Sequence, residues 1–355
     1  MRPARARIDL DALRHNLALA KQWSGQARVW AVAKANAYGH GLARTRRVFD
    51  TVDGLALLDI EDAVQLRQQG WGKPLLMLEG FFEPSDLRSC AELGLTAVVH
   101  QAEQIAMMES ATLARPVDVY LKINAGMNRL GFRPTEAGEA LGRLRRSGKA
   151  ASITLMTHFA DADGARGVAE ALACFEPLVA MHNLPASMAN SAALLRYPQT
   201  RGDWVRPGLM LYGCSPFANE PAQALGLRPV MTVTSRIIAV QNLSPGERIG
   251  YAGITTARRP MRVGVVGFGY ADGYPRHAPE GTPLLVDGRR AGTVGRVSMD
   301  MICTDITDIA GAGIGSEVTL WGEGLSADEV AVASGTVSYE LLCALAARVP
   351  VEVVG

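Results

Sequence analysis

The segment Val29-Trp30-Ala31-Val32-Ala33-Lys34-Ala35-Asn36-Ala37-Tyr38-Gly39-His40-Gly41 is where the chain declares its architecture. Its first five residues are an apolar run bounded by polar and glycine residues, a pattern that predicts a buried strand. A lysine at the end of such a strand keeps its stem among apolar side chains and turns its amine toward a crevice. Desolvation there lowers the amine's pKa, and a neutral amine can attack a carbonyl or form a Schiff base. Tyr38 adds a hydroxyl, while Gly39 and Gly41 allow close backbone approach. A lysine that merely snorkels from a strand end has the same local sequence. The rest of the chain decides between the two.

Outward from this segment, short apolar strands alternate with amphipathic helices. Strands are predicted at Val29–Ala33, Leu55–Leu58, Pro74–Leu78, Thr96–Val99, Val117–Ile123, Ile153–His158, Ala186–Ala189 and Leu209–Tyr212. Helical patterns lie between them at Glu61–Gln69, Ala102–Ser110, Thr135–Arg146 and Val168–His182. Eight alternations over about 200 residues predict a (β/α)8 barrel rather than an open doubly wound sheet.

After about Leu227 the texture becomes β-rich, with runs at Val230–Val240, Met261–Phe268, Thr282–Val286 and Glu317–Leu320. Turn signals separate them at Ser244-Pro245-Gly246-Glu247, Asp287-Gly288 and Gly311–Gly315. One helix, Tyr339–Ala347, precedes a last strand at Val349–Val354. The fold class is therefore α/β. An N-terminal barrel domain spans residues 1–226, and a mostly antiparallel β-domain spans 227–355.

Composition narrows the function. The chain has 355 residues, 48% of them hydrophobic, and a formal net charge of +1. That balance gives no reason to expect a nucleic acid or an anionic membrane as partner. The five cysteines are scattered and never spaced as a metal or disulfide framework, so no metal site is predicted. No signal core opens the chain and no apolar stretch reaches about 18 residues, so a cytoplasmic location is expected. Gly264-Val265-Val266-Gly267-Phe268-Gly269 resembles a dinucleotide fingerprint, but its spacing is wrong and Tyr270-Ala271-Asp272-Gly273 follows in place of a helix.

In a barrel, chemistry gathers at the C-terminal ends of the strands. Lys34 ends the first strand, Lys122 and Asn124 the fifth, His158 the sixth, and Asn190 and Ser191 the seventh, while Arg206 just precedes the eighth. An arginine in the glycine-rich segment Asn124–Phe132, Arg129, suits bidentate capture of a carboxylate, although a surface ion pair would place it equally well. The Ser191 hydroxyl, with the N–H groups of Gly208 and Leu209, is suited to a phosphate; Ser191 would also serve as a plain helix cap.

Taken together, these motifs resemble the alanine racemases, pyridoxal-phosphate enzymes, essentially from end to end. The resemblance rests on Ala33-Lys34-Ala35-Asn36-Ala37-Tyr38-Gly39-His40-Gly41, Asn124-Ala125-Gly126-Met127-Asn128-Arg129-Leu130-Gly131 and Tyr270-Ala271-Asp272-Gly273-Tyr274-Pro275-Arg276. Gly295-Arg296-Val297-Ser298-Met299-Asp300-Met301 and Ser338-Tyr339-Glu340-Leu341 complete it. The compact length and Asn124, where many relatives have aspartate, resemble the catabolic-type branch of Gram-negative bacteria.

The resemblance implies pyridoxal 5'-phosphate as cofactor, L-alanine and D-alanine as substrates, and a homodimer with shared active sites. Lys34 would hold the cofactor and act as base on one face, handling D-alanine. Tyr251, from the partner subunit, would be the base on the other face, handling L-alanine, with Arg206 and His158 stabilising its phenolate. Arg206 would face the pyridine nitrogen. Tyr38, Ser191, Gly208, Leu209 and Tyr339 would hold the phosphate, with Asn190 beside them. Arg129 and the Met299 backbone would take the substrate carboxylate, Met299 again from the partner. Lys122, a position often carbamylated, would orient Arg129, with Asp300 and Tyr270 in support. A basic amino-acid decarboxylase shares this architecture but places an acid where Arg206 stands. A broad-specificity racemase and a non-catalytic pyridoxal-phosphate protein are the further alternatives. The first usually carries a secretory signal, and the second lacks the domain that bears Tyr251.

Overall fold

The computed structural model describes residues 2–355 and divides into two compact units. One unit comprises Leu17–Ala37 and Arg46–Leu211. The other comprises the chain up to Asn16, Tyr38–Thr45 and Tyr212–Gly355.

After β1 (Arg5–Asp9) and the helix Leu10–Ser24, eight parallel strands close into a barrel. They are β2 (Arg28–Val32), β3 (Gly54–Leu57), β4 (Leu75–Met77), β5 (Thr96–Val99), β6 (Val117–Lys122), β7 (Ala150–Met156), β8 (Ala186–Ser187) and β9 (Trp204–Val205). β9 returns to β2 through Arg28↔Trp204 and Val29↔Val205. Every residue of β3, β4 and β5 is buried, as strands covered on both faces require. Inside the barrel the Trp30 ring stacks on Trp204 with centroids 4.3 Å apart. Its Nε1 donates to Tyr120 Oη at 2.9 Å. Gly54 opens β3 because a Cβ there would lie 2.2 Å from the Trp30 ring.

Two elements of this unit differ from expectation. The helix Pro84–Leu93 was not foreseen, although Pro84 at its start and the acceptance of the Glu83 N–H by Asp86 are local start signals. The eighth strand is Trp204–Val205, and the predicted Leu209–Tyr212 is instead a 3₁₀ turn. Pro207 has no N–H to continue a ladder, and Leu211 N–H closes onto Gly208 O at 2.9 Å. Leu209 to Tyr212 are all buried, and burial on every side does not separate a strand from a short helical turn.

The second unit is a sheet in the order β13-β16-β15-β14-β17-β10-β1-β18. Its strands are β10 (Met231–Leu243), β13 (Met261–Val266), β14 (Pro283–Val286), β15 (Arg289–Val294), β16 (Ile302–Asp305), β17 (Glu317–Trp321) and β18 (Val351–Val354). A small hairpin, β11 (Arg248–Ile249) with β12 (Thr255–Thr256), stands outside it. β10 also pairs with β13, so six strands form a closed ring. A register shift between Ile237 and Ala239 bends the long β10, so that its first half meets β1 and β17 and its second half meets β13. All pairings are antiparallel except β1 with β18. The helix Ala327–Ala333, capped by Ser326 accepting from Glu329 N–H, was not foreseen; the predicted Tyr339–Ala347 helix spans Ser338–Cys343.

The β-unit takes in three stretches beyond the expected 227–355: the chain up to Asn16, Tyr38–Thr45 and 212–226. The chain enters the β-unit first, since β1 pairs with β10 and β18. The alternation of buried Ala6 and Ile8 with more open Arg5, Arg7 and Asp9 is the local sign of a half-covered sheet. Among the described residues no helix is long and apolar enough to cross a membrane.

Because Trp30 is fully buried, stacked and hydrogen-bonded, Trp30→Ala should cost about 3–5 kcal/mol of unfolding free energy. Urea titration followed by circular dichroism measures this, and a loss below about 1 kcal/mol would mean that the ring does not organise the barrel interior.

Candidate active site

Lys34 lies two residues beyond β2 and begins a strained turn. Ala35, Asn36, Ala37 and Tyr38 all take positive φ, from 51° to 55°. A left-handed backbone costs a non-glycine residue about 1–2 kcal/mol. Four in succession persist only where tertiary structure over-determines them, and such strain clusters at functional sites.

Arg206 immediately follows β9, not precedes it, because that strand is Trp204–Val205. This correction places it on the same rim as the other candidates. It is only 4% exposed. Nη1 donates to Ser187 Oγ at 2.7 Å, and Nη2 donates to Thr157 O at 2.6 Å and Met188 O at 3.1 Å. His158 Nδ1 lies 3.5 Å from Nη2. None of these partners is a carboxylate. Burial lowers Arg206 to about 10, so it stays charged at neutral pH.

The neighbours share this electrostatics. Burial, reinforced by Arg206, Lys122, Arg129 and Lys34, pushes His158 down to about 3. Burial, then Arg206 and Arg129, lowers Lys122 to about 8, against a weaker opposing pull from Glu79. Lys34, Lys122, Arg129 and Arg206 are thus close enough to His158 to disfavour its charged form. A rim this cationic, with its arginine bound only to neutral oxygens, fits a ligand that brings a phosphate and a carboxylate.

Asn190 caps the helix Ser191–Arg196 by accepting from Ala193 N–H at 3.0 Å. Ser191 Oγ accepts from Gly208 N–H at 2.9 Å and from Met210 N–H at 3.4 Å. Ser191, Gly208 and Leu209 are therefore gathered, as a phosphate cradle needs. Asn124 knits the loop after β6: its Oδ1 accepts from Gly126 and Asn128 N–H, and its Nδ2 donates to Asn128 Oδ1. A pocket is lined here by Lys122, Asn124, Met127, Arg129 and His158.

The remaining candidates belong to the second unit. Tyr38 is buried, stacks on Tyr212 with centroids 4.7 Å apart, and lies 5.9 Å from the Tyr339 ring. His40 stacks on Tyr212 and places Nδ1 2.9 Å from Tyr38 O. Desolvation pushes the Tyr38 phenol well above its ordinary range, so it remains a donor. Gly39 is obligatory, since a Cβ would meet Leu342 O at 2.2 Å. Tyr251 is 70% exposed on the turn Tyr251–Gly253, and Met299 is 53% exposed. Tyr270 N–H donates to Ser298 O, and Asp300 accepts from Arg2 and Arg348.

Sequence reasoning missed Thr157, Ser187, His40 and Tyr212. Thr157 and Ser187 lie beside strand ends already singled out. Nothing local marks them as the groups that hold Arg206, because the bonds span 49 and 19 residues.

Residues 8–216 match the family profile described as alanine racemase, N-terminal domain, and residues 230–353 that of the C-terminal domain. The chain is 57% identical to an alanine racemase of Thiobacillus denitrificans, covering 100% of this chain and 97% of that one. It is 52% identical to one from Nitrosomonas eutropha, covering 98% of each. Among solved structures, the biosynthetic alanine racemase of Pseudomonas aeruginosa superposes with a TM-score of 0.96 at 43% identity, covering 100% of both chains. That of Acinetobacter baumannii gives 0.94 at 36% identity, again over 100% of both.

The His158 environment has a consequence for stability. Between pH 6.5 and about 3 the unfolded chain takes up a proton that the folded His158 refuses, so this group removes stability as pH falls through that window. Denaturant unfolding of cofactor-free protein at pH 7, 5 and 4 should show a smaller acid loss in His158→Gln than in the unaltered protein. Equal losses would rule out a buried neutral imidazole.

Proposed function

The chain belongs to the alanine racemase family and interconverts L- and D-alanine with pyridoxal phosphate; from that premise we propose how its residues divide the work. The observation that carries this reading is the cationic rim centred on buried Arg206, with a lysine that immediately precedes a left-handed turn. When bound, pyridoxal phosphate supplies electron withdrawal that acidifies the substrate α-carbon. Everything else falls to side chains.

Lys34 would hold the cofactor through Nζ, and the same amine would take or return a proton on one face of the substrate α-carbon, the D-alanine face. Tyr251 of the partner subunit does so on the opposite face through Oη. Its exposure within its own chain is what a residue completing a neighbouring site would show. A phenol with an ordinary pKa near 10 is a weak base at neutral pH. Charged Arg206 stabilises its anion through neutral His158, which sits 3.5 Å from the guanidinium. Arg206 would also be the residue to face the pyridine nitrogen, and because a guanidinium does not surrender its proton it would keep the bound ring a modest electron sink, which disfavours transamination.

The Ser191 hydroxyl, with Gly208 and Leu209, and the Tyr38 and Tyr339 phenols hold the phosphate, with Asn190 fixing the turn that carries Ser191. Arg129 and the N–H of Met299 of the partner subunit hold the substrate carboxylate, and Lys122 orients Arg129, as amine or carbamate. Tyr270 and Asp300 support the Met299 turn. The homodimer is part of this proposal. So are a cytoplasmic location and a role in supplying D-alanine for peptidoglycan or consuming it. Among the described residues no disulfide joins the cysteines, which suits a reducing compartment.

The two-base division is tested by exchange of the α-proton in deuterated water. Tyr251→Phe should lower racemisation about 10²–10⁴-fold in both directions, the range for loss of a positioned acid–base group. It should still exchange the α-proton of D-alanine while losing exchange from L-alanine. Lys34→Ala should abolish both, together with the absorbance of covalently held cofactor. Equal residual exchange from both enantiomers in Tyr251→Phe would overturn the assignment.

A further inference from the structure

Asp272 is 1% exposed, and both of its carboxylate oxygens are engaged. Arg2 Nη2 donates to Oδ2 at 2.8 Å, Arg348 Nε to Oδ1 at 2.7 Å, and Gly269 N–H to Oδ2 at 2.9 Å. The same two arginines reach on to Asp300. Arg2 Nη1 and Arg348 Nη2 donate to its Oδ1 at 2.8 and 2.6 Å, and Arg2 Nη2 donates to its carbonyl at 2.9 Å. Two carboxylates and two guanidiniums thus form a neutral cluster. It joins residue 2, the loop at 267–272, the turn at 298–301 and Arg348, and all of these lie within one unit.

The turn beside the cluster is held at every carbonyl that matters. Ser298 N–H donates to Met301 O, Tyr270 N–H to Ser298 O and Ala271 N–H to Met299 O, at 2.9–3.0 Å. Gly269 is required for this approach, because a Cβ there would lie 2.4 Å from the carbonyl oxygens of both Ser298 and Met299. Among the described residues no acceptor takes the Met299 N–H. A fixed peptide with an open donor is the arrangement that recognises an anion.

We propose that Asp272, gripped by Arg2 and Arg348, is a positioning residue that fixes the turn at 298–301 and so aims the Met299 N–H at the substrate carboxylate. Asp272 itself touches no substrate. The inference rests on the reading of Met299 as a carboxylate donor given above. It adds that the second residue of the chain takes part in substrate recognition.

The test uses enzyme loaded with pyridoxal phosphate. In Asp272→Asn, KM for both alanine enantiomers should rise about tenfold while kcat changes less than about threefold, the signature of lost binding rather than lost chemistry. The calorimetric dissociation constant of propionate, a carboxylate without an amine, should rise by a similar factor, and the cofactor absorbance should not change. Should Asp272→Asn fail to fold, the exposed Arg2→Met carries the test, with an expected rise of about threefold. Where both fold, the double variant should be no worse than Asp272→Asn alone, because the two residues act through one network.

Unchanged KM and propionate affinity in these variants would overturn the inference, as would loss of cofactor absorbance in step with activity. Met299→Pro, which removes the N–H, separates the two layers. If it weakens propionate while Asp272→Asn does not, the clamp fails and the Met299 reading stands. If it leaves propionate binding intact, the Met299 reading falls and takes the clamp with it.

Discussion

A buried guanidinium whose hydrogen-bond partners carry no negative charge is the constraint on which the barrel rim depends. Arg206 donates to a hydroxyl on the last residue of β8 and to two backbone carbonyls just after β7 and β8. Hydrogen bonds of this kind orient a cation without cancelling its charge, and an uncompensated buried charge is costly. The structure tolerates it by keeping the imidazole next to it neutral and by lowering Lys122 toward neutrality. The same field that lowers these groups makes the rim a place where a phosphate and a carboxylate are favoured.

Backbone strain is a second constraint. The turn that begins at Ala35 holds three ordinary residues and a tyrosine in the left-handed region. Asparagine tolerates this region better than most residues, the two alanines carry the full Cβ penalty, and the aromatic stack of Tyr38, Tyr212 and His40 fixes the far end. Lys34 is thereby pre-oriented by its backbone and not only by contacts of its flexible stem. Such pre-organisation fixes where an amine points without relying on its flexible stem.

The β-unit carries its chemistry differently. Its residues of interest, Tyr251 and Met299, stand on turns and face outward. Turns are mobile unless tied, and here Met299 is tied through backbone bonds, a glycine that admits two carbonyls, and the four-charge cluster around Asp272.

The sequence alone determined the alternation of strands and helices, the change to a β-rich second half, and most of the rim residues. Those features are local: hydrophobic period and glycine placement are written within a few residues, and strand ends follow from them. Tertiary structure decided the rest. It chose Trp204–Val205 over Leu209–Tyr212 as the closing strand, because an apolar run reads alike in a strand and in a 3₁₀ turn. It drew β1 into a sheet whose partners begin more than 200 residues later. It also joined Arg2 to Asp272 across 270 residues. Burial can be foreseen from pattern, but the partner of a buried charge is set by long-range packing, which no local pattern encodes.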